Sequence, residues 1–305
     1  MKTIDIERLT SGEPVFSFIL AGEGIDPAAV AGGAISLFDG ELVGVSARVN
    51  QPGRSVKVTV MHDADYRPED AFLRVKHHAW ERGLAYAILP GSAGVPDFEV
   101  ALFDMDSTLI NQEVIEELAA FAGHREQVAE VTRLAMEGKL DFHQALRERV
   151  KLLAGQPASI LEEVLNHHIT PTPGLEDMVS GLHAAGIRVA VVSGGFIDVV
   201  GPFARAHGID HAVANRLEVA NGRLTGEVLG EIVDADVKRR TLEELCKECR
   251  CTPANAIAMG DGANDLKMMK IAGLGVAFCA KPIVQEQALA AINRRRLDDL
   301  LGFLA

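Results

Sequence analysis

The stretch FDMDSTL, residues 103–109, decides the fold of this chain. It completes the apolar run VALF, residues 100–103, and then places Asp104 and Asp106 two positions apart. A near-continuous apolar run is typical of a strand that is covered on both faces, as in a parallel sheet. Two carboxylates at the end of such a strand repel each other and resist burial. A bound cation, or a phosphate chemistry that uses both groups, would compensate.

Length and composition indicate an ordinary globular protein of two domains. The chain has 305 residues, of which 48% are hydrophobic and 24% are charged. No apolar run approaches the roughly 18 residues of a membrane helix, and the N-terminus MKTIDIERLTSGEP lacks the apolar core of a signal peptide. The net charge of −13 argues against nucleic-acid and membrane partners. We therefore expect a cytoplasmic protein that acts on a small molecule.

Residues 14–90 predict a compact βαββαβ module. The strands are PVFSFILA, LVGVSARV, SVKVTVMH and AYAILP, and the helices are IDPAAVAGGAISLF and PEDAFLRVKHHAWERG. The segment GSAGVPD, residues 91–97, is typical of a linker. We expect one domain at residues 1–97, including this linker, and a second at residues 98–305.

The second domain is expected to be an α/β unit with an open parallel sheet and a helical insertion after its first strand. Four helical segments fill residues 113–168, and the third should begin at the N-cap Asp141 and end at Gly155. Strands then return at IRVAVVSGG, AIAMGDG and LGVAFCAK, with a hairpin turn at Asn221-Gly222. Ligands bind at the carboxyl ends of the strands in such sheets, where polar residues follow three of these runs.

Those polar residues suit phosphoryl transfer to a protein nucleophile. Asp104 could attack phosphorus, and Asp106 could protonate the leaving alcohol and later activate water. Ser193 offers a hydroxyl, Gly194 lets backbone N–H groups approach the phosphate, and Lys238 supplies a positive charge. Each residue type alone is common on surfaces and in loops. Their joint occurrence in this order, at predicted strand ends and a helix start, favours catalysis.

Two further carboxylates point to a metal ion. Asp261 and Asp265, in MGDGANDL, add the oxygen ligands that Mg²⁺ prefers. The cluster CKECRC, with Cys246, Cys249 and Cys251, superficially resembles half of a zinc site, but no second ligand pair stands at a suitable spacing. Reduced thiols are the interpretation that we favour for these cysteines.

The segments FDMDSTL, VVSGGF, Lys238 and GDGANDLKMM resemble the four motifs of the haloacid dehalogenase superfamily. Within it, DMDSTLINQEVIEELA, AMEGKLDFHQALRERV, ANRLEV and GDGANDLKMMKIAGLGVAFCAKP are similar to the phosphoserine phosphatases. The resemblance runs from about residue 98 to the C-terminus. It implies a Rossmann-type sheet with a cap at about residues 111–170. It also implies Mg²⁺-dependent hydrolysis of O-phospho-L-serine to L-serine, the last step of serine biosynthesis.

The resemblance also implies a role for each site residue. Asp104 matches the nucleophile and Asp106 the general acid/base. With Asp261 they would hold Mg²⁺, Asp106 through its backbone carbonyl. Asp265 matches a residue that holds the site together. The residues that match phosphate binders are Ser193, Gly194, Lys238 and Asn264.

The expected substrate contacts lie in the cap. Glu113 matches the residue that recognises the ammonium group, and Arg149 the residue that pairs with the carboxylate, although Arg147 is a competitor two positions away. Met136 and Phe142 match apolar residues that shield the closed site. The alternative for the charged residues is a solvated helix face.

The N-terminal module resembles the ACT-like, amino-acid-sensing domains that precede some of these enzymes. The resemblance leaves open whether it binds L-serine, makes a homodimer, or does neither. Two other functions also stay open at this point. One is a related phosphatase or phosphotransferase acting on another small phosphorylated metabolite, and the other is a catalytically silent regulator that binds an amino acid.

Overall fold

The first four strands and two helices form the module that the sequence predicts. In this computed structural model, residues 15–22, 24–37, 44–51, 54–61, 68–90, 97–136 and 139–304 are described. The module consists of β1 (Val15–Ala21), α1 (Pro27–Ser36), β2 (Gly44–Gln51), β3 (Ser55–Met61), α2 (Pro68–Glu81) and β4 (Ala85–Pro90). Its strands pair antiparallel in the order β2-β3-β1-β4. The βαββαβ order is confirmed, and residues 91–96 of the predicted linker fall outside the described ranges.

The second part of the chain builds the predicted parallel sheet. Its parallel strands are β5 (Val100–Phe103), β6 (Arg188–Phe196), β7 (His211–Ala220), β9 (Ala256–Gly260), β10 (Leu274–Phe278) and β11 (Ala290–Ile292), and β8 (Arg223–Leu229) closes the predicted hairpin with β7. The helices that follow the insertion are α7 (Leu175–Ala184), α8 (Ile197–Ala206), α9 (Ala235–Glu248), α10 (Leu266–Ile271) and α11 (Pro282–Gln287). Among the helices described, none is long and apolar enough to cross a bilayer.

Both faces of β5 are covered, as its apolar sequence predicts. Ala101 and Phe103 enter the core that contains side chains of α7 and α8. Val100 and Leu102 enter the core on the opposite face, with side chains of α9 and α10. All four side chains are fully buried. Alternate residues of one strand therefore serve two cores, which explains why no polar residue interrupts the run.

The described residues of the insertion between β5 and α7 form a cap of four helices. They are α3 (Val114–Phe121), α4 (Arg125–Met136), α5 (Phe142–Lys151) and α6 (Ile160–His167). Asp141 begins α5 as predicted, in a capping box with Gln144. The predicted end at Gly155 is wrong, because the chain tightens into successive turns after Lys151. Gly155 does not end the helix. Its N–H donates a hydrogen bond to the carbonyl of Leu224 in β8.

A single sheet crosses the predicted domain boundary. Its strand order is β2-β3-β1-β4-β11-β10-β9-β5-β6-β7-β8. The junction is β11, which pairs parallel with β10 and antiparallel with β4. No sequence pattern predicts β11, α11 or the short helical turn Leu297–Phe303, and the way in which the module joins the parallel sheet is therefore visible only in the structure.

Candidate active site

The carboxyl ends of β6, β5 and β9 meet because these strands are neighbours. Asp104 and Asp106 follow β5, Asp261 follows β9, and Ser193 lies in β6, where the pairing with β7 shifts register after Ser193 instead of ending there. The chain runs from β5 to β6 on one side and returns to β9 on the other. This reversal makes the crevice in which open α/β sheets bind ligands.

Lys238 joins two of the carboxylates at the bottom of this crevice. It lies in the first turn and a half of α9 and is fully buried. Its Nζ is 2.8 Å from Asp104 Oδ1 and 2.7 Å from Asp265 Oδ1. Burial alone would lower the pKa of this lysine, but Asp104 and Asp265 raise it above its usual value. Lys238 is therefore a fixed positive charge beside Asp104.

Three carboxylates form a group that fits a hard divalent cation. One oxygen from each of Asp104, Asp261 and Asp265 lies within 4.8 Å of the others. Burial, with the neighbouring Asp265, raises the pKa of Asp104 well above its usual range, and burial raises that of Asp261 to about 6. A cation would relieve this repulsion, and carboxylate oxygens are the ligands that Mg²⁺ prefers. Asp106 adds no side-chain oxygen to this group, so its expected contribution through the backbone carbonyl stays a prediction.

The carboxyl group of Asp106 faces a different part of the crevice. Its Oδ1 accepts a hydrogen bond of 3.3 Å from the N–H of Val114, at the start of α3. Burial and the nearby Glu113 raise the pKa of Asp106 to about 8. A carboxyl group that carries a proton near neutral pH suits a general acid.

Gly194 and Gly195 form a bulge in β6, directly after Ser193, where the pairing with β7 shifts register, and Gly195 lies beside Asp106 in the same crevice. The Oγ of Ser193 accepts a 2.8 Å hydrogen bond from the N–H of Gly195, which leaves the hydroxyl proton to donate to an anion. The carbonyl of Gly194 accepts a 2.8 Å hydrogen bond from Asn215 Nδ2, and Asn215 Oδ1 accepts one of 2.8 Å from Val233 N–H. No role is predicted for Asn215 from the sequence, although this residue lies in ANRLEV, one of the segments similar to the family. The signal that could have indicated a role for Asn215 is a polar residue inside a strand, and the structure shows that this residue is buried.

The loop after β9 holds Asn264 and Asp265. The Oδ2 of Asp265 accepts a 3.0 Å hydrogen bond from the N–H of Gly262, which ties the loop to the Lys238 pair. A Cβ atom on Gly260 would collide with Asp265. Asn264 lies half-buried in this loop, next to Asp265. The arrangement fits the expected supporting role of Asp265, which stays a prediction, as does phosphate binding by Asn264.

The cap brings its expected substrate residues to the crevice. Glu113 directly precedes α3, and its Oε1 accepts a 2.8 Å hydrogen bond from Ser107 Oγ. Burial lowers the pKa of Arg149, whereas Glu113, Glu116 and Asp106 raise it, so the guanidinium lies within reach of their charges. Arg149 is half-buried, and Arg147 is exposed.

The apolar residues expected to shield the site both belong to cap helices. The ring of Phe142 comes to 3.6 Å from the position that a Cβ atom would take on Gly194. The first residue of α5 therefore closes over the Ser193–Gly195 bulge of β6. Met136 is the last residue of α4, and its side chain lies outside the part that the structure describes.

The four cysteines are free thiols. Cys246 is buried, and Cys249, Cys251 and Cys279 are half-buried. Burial raises the pKa of Cys246 to about 12 and raises that of Cys251, which makes both thiols poor nucleophiles at neutral pH.

The sheet, the buried aspartate paired with a lysine at the end of its central strand, and the helical cap define a class of hydrolase. The family model described as haloacid dehalogenase-like hydrolase matches residues 101–270. The chain belongs to this family.

Within this family, the proteins similar to this chain include phosphoserine phosphatases. The chain is 46% identical over 206 residues to a protein of Methanocaldococcus jannaschii named phosphoserine phosphatase, which covers 68% of this chain and 97% of the relative. A solved structure described as a phospho-aspartyl intermediate analogue of phosphoserine phosphatase is 45% identical, with a TM-score of 0.64 over 68% of this chain and 99% of that chain. A hydrolase of this family from Salmonella enterica is 30% identical, with a TM-score of 0.82 over 95% of this chain and 98% of its own.

Proposed function

We propose that this chain hydrolyses O-phospho-L-serine to L-serine and phosphate through an aspartyl-phosphate intermediate. One observation carries the proposal. The buried Asp104–Lys238 pair beside the Ser193–Gly195 bulge of β6 lies under a cap that presents one acid, Glu113, and one half-buried base, Arg149. Phosphoserine carries a phosphate, an ammonium group and a carboxylate, and each has a partner of opposite charge or donor character here. The similarity to named phosphoserine phosphatases supports the same substrate.

The first half-reaction transfers the phosphoryl group to Asp104. Within the described part of the chain, Lys238 and the N–H of Met105 both contact Oδ1 of Asp104, which leaves Oδ2 to attack phosphorus. As the new O–P bond forms, the bond between phosphorus and the serine oxygen breaks, and protonated Asp106 gives its proton to that oxygen. Ser193 and Lys238 offset the charge on the phosphoryl oxygens.

The second half-reaction releases phosphate. Asp106, now ionised, accepts a proton from water as the water oxygen attacks phosphorus, and the O–P bond to Asp104 breaks. Mg²⁺ bound by Asp104, Asp261 and the backbone carbonyl of Asp106 would offset charge on the phosphoryl oxygens throughout. Phe142 keeps bulk water away from the intermediate, and the resemblance to the family gives Met136 the same role.

The test is phosphate release from L-phosphoserine, with Mg²⁺ and with EDTA. Wild type should turn over only with Mg²⁺. Asp104→Asn should lose activity by about a thousandfold or more, because the nucleophile is gone while the shape is kept. Asp177→Asn, at an exposed position of α7, is the matched control. Absence of turnover by folded wild type would remove the substrate assignment, and a screen of small phosphate esters would then test the related activities. Full activity of Asp104→Asn would show that Asp104 is not the nucleophile.

For the N-terminal module and the location we keep the proposals that the sequence suggests. The module would bind L-serine or join two chains, and a biosynthetic enzyme of serine would work in the cytoplasm. Light scattering of the full chain with and without L-serine, and calorimetry with L-serine, separate the two roles of the module. A monomer that binds no serine would exclude both.

A further inference from the structure

The run Arg294-Arg295-Arg296 follows β11 and is anchored on both sides. Arg294 Nη2 and Nε lie 2.8 and 3.1 Å from the two carboxylate oxygens of Asp299. Arg296 Nε lies 2.8 Å from Asp298 Oδ1. Both aspartates are buried, so these are not loose surface pairs. The backbone of the middle residue, Arg295, is therefore fixed even though its side chain is exposed.

The side chain of Arg295 reaches the chain where it enters the cap. Its Nη1 donates a 2.9 Å hydrogen bond to Asn111 Oδ1, and its Nη2 donates one of 3.3 Å to the carbonyl of Ser107. Asn111 also binds the chain that returns from the cap, because its Nδ2 donates to Thr170 Oγ1 at 3.0 Å and to the Pro171 carbonyl at 3.1 Å. Arg295 thus acts on both connections between the cap and the sheet.

Ser107 is the residue on which these contacts converge. Its φ of 56° lies in the left-handed region, which is unfavourable for a residue with a Cβ atom and persists only where neighbours enforce it. Its N–H donates to the Gln112 carbonyl, and its Oγ donates to Glu113 Oε1. The preceding residue is Asp106. The conformation of Ser107 therefore sets the direction of Glu113, whereas the carboxylate of Asp106 is held separately by the N–H of Val114.

We propose that Arg295 is a positioning residue that holds the loop 107–112 so that Glu113 faces the ammonium group of the substrate. The proposal rests on the proposed function for the identity of that substrate. Arg295 touches no reacting atom. It binds a carbonyl and a side-chain oxygen through two nitrogens of one rigid plane, which fixes the two acceptors relative to each other more firmly than the single nitrogen of a flexible lysine would.

Kinetics with two esters test the role in recognition. For Arg295→Ala we expect KM for L-phosphoserine to rise about tenfold. kcat/KM for p-nitrophenyl phosphate, which has no ammonium group, should stay within about twofold. Arg295→Lys should recover part of the loss. Arg188→Ala is the matched control, because Arg188 pairs with Glu248 at the opposite ends of the strands. An unchanged KM, or equal losses with both esters, would overturn the proposal.

Hydrogen exchange gives a second measurement that needs no turnover. In Arg295→Ala the amides of residues 107–113 should exchange faster than in wild type and in Arg188→Ala. Unchanged exchange would show that Arg295 does not hold the loop. If wild type fails to hydrolyse L-phosphoserine, the proposed function falls together with the substrate named here, and exchange still decides whether Arg295 holds the loop.

Discussion

At the scale of single residues, two arginines of α5 make a natural comparison. Arg149 is half-buried and feels the charges of Glu113, Glu116 and Asp106, and Arg147, two positions earlier, is exposed. Residues two apart on a helix point in different directions. The sequence does not indicate which of the two arginines faces the substrate, because both follow the same pattern of charge. The orientation of α5 against the crevice distinguishes them.

We predict that Arg149→Ala raises KM for L-phosphoserine about tenfold to a hundredfold, because a charge-assisted contact to the carboxylate is lost. Arg147→Ala should leave KM unchanged and serves as the control. O-phosphoethanolamine, which has the ammonium group but no carboxylate, should be hydrolysed equally well by wild type and Arg149→Ala. Steady-state kinetics with both esters decide this. A larger effect of Arg147→Ala would exchange the two roles.

At the scale of elements, Asn215 connects three parts of the site. It lies in β7, binds the carbonyl of Gly194 in β6, and accepts from Val233 before α9. We predict that Asn215→Ala lowers kcat/KM about tenfold or more, because each buried backbone group left without a partner costs about 1–3 kcal/mol and the β6 bulge proposed to bind phosphate loosens. Thermal unfolding should also shift to lower temperature.

The control for this substitution is Asn166→Ala, at an exposed position of α6. It removes the same side chain where no buried backbone group depends on it. Unchanged kcat/KM in Asn215→Ala would mean that the β6 bulge keeps its shape without the amide.

The elements that the sequence predicts well are those with a strong period or a strong end signal. β5 and the hairpin at Asn221-Gly222 are examples, with φ of 52° and 73° at the turn. The helix end predicted at Gly155 was wrong, because a glycine with φ of 80° can end a turn as well as a helix. β11 has only three residues, and its partners are far away in sequence, so no local pattern could indicate it. The carboxylates were predictable because motif and strand end coincided.

At the scale of the whole molecule, Lys76 links the N-terminal module to the parallel sheet. From α2, its Nζ donates to the carbonyls of Gln285, Glu286 and Ala288 at the end of α11, at 3.2, 3.3 and 2.7 Å. Burial lowers its pKa to about 8, with Glu286 opposing the shift. In the unfolded chain a lysine titrates near 10.4, so the unfolded state binds more protons between these values.

The contribution of Lys76 to the free energy of unfolding should therefore rise with pH from about 8 to about 10.5. We predict that the difference between wild type and Lys76→Met changes by about 1–2 kcal/mol in favour of wild type between pH 7 and pH 10. Chemical denaturation at several pH values measures it, with Lys247→Met, an exposed lysine of α9, as the control for charge. A difference that is constant with pH would contradict the prediction.

The continuous sheet has a consequence for a chain that loses or unfolds its N-terminal module. The strand β4 pairs with β11. Loss of β4 would therefore leave β11 as an unpaired strand at the edge of the remaining sheet. Such edges are templates for pairing with other chains, and therefore for aggregation. Because β11 has only three residues, a strand from another chain could form few hydrogen bonds with it. The short length that makes β11 hard to predict from the sequence therefore also limits aggregation of a chain without its module.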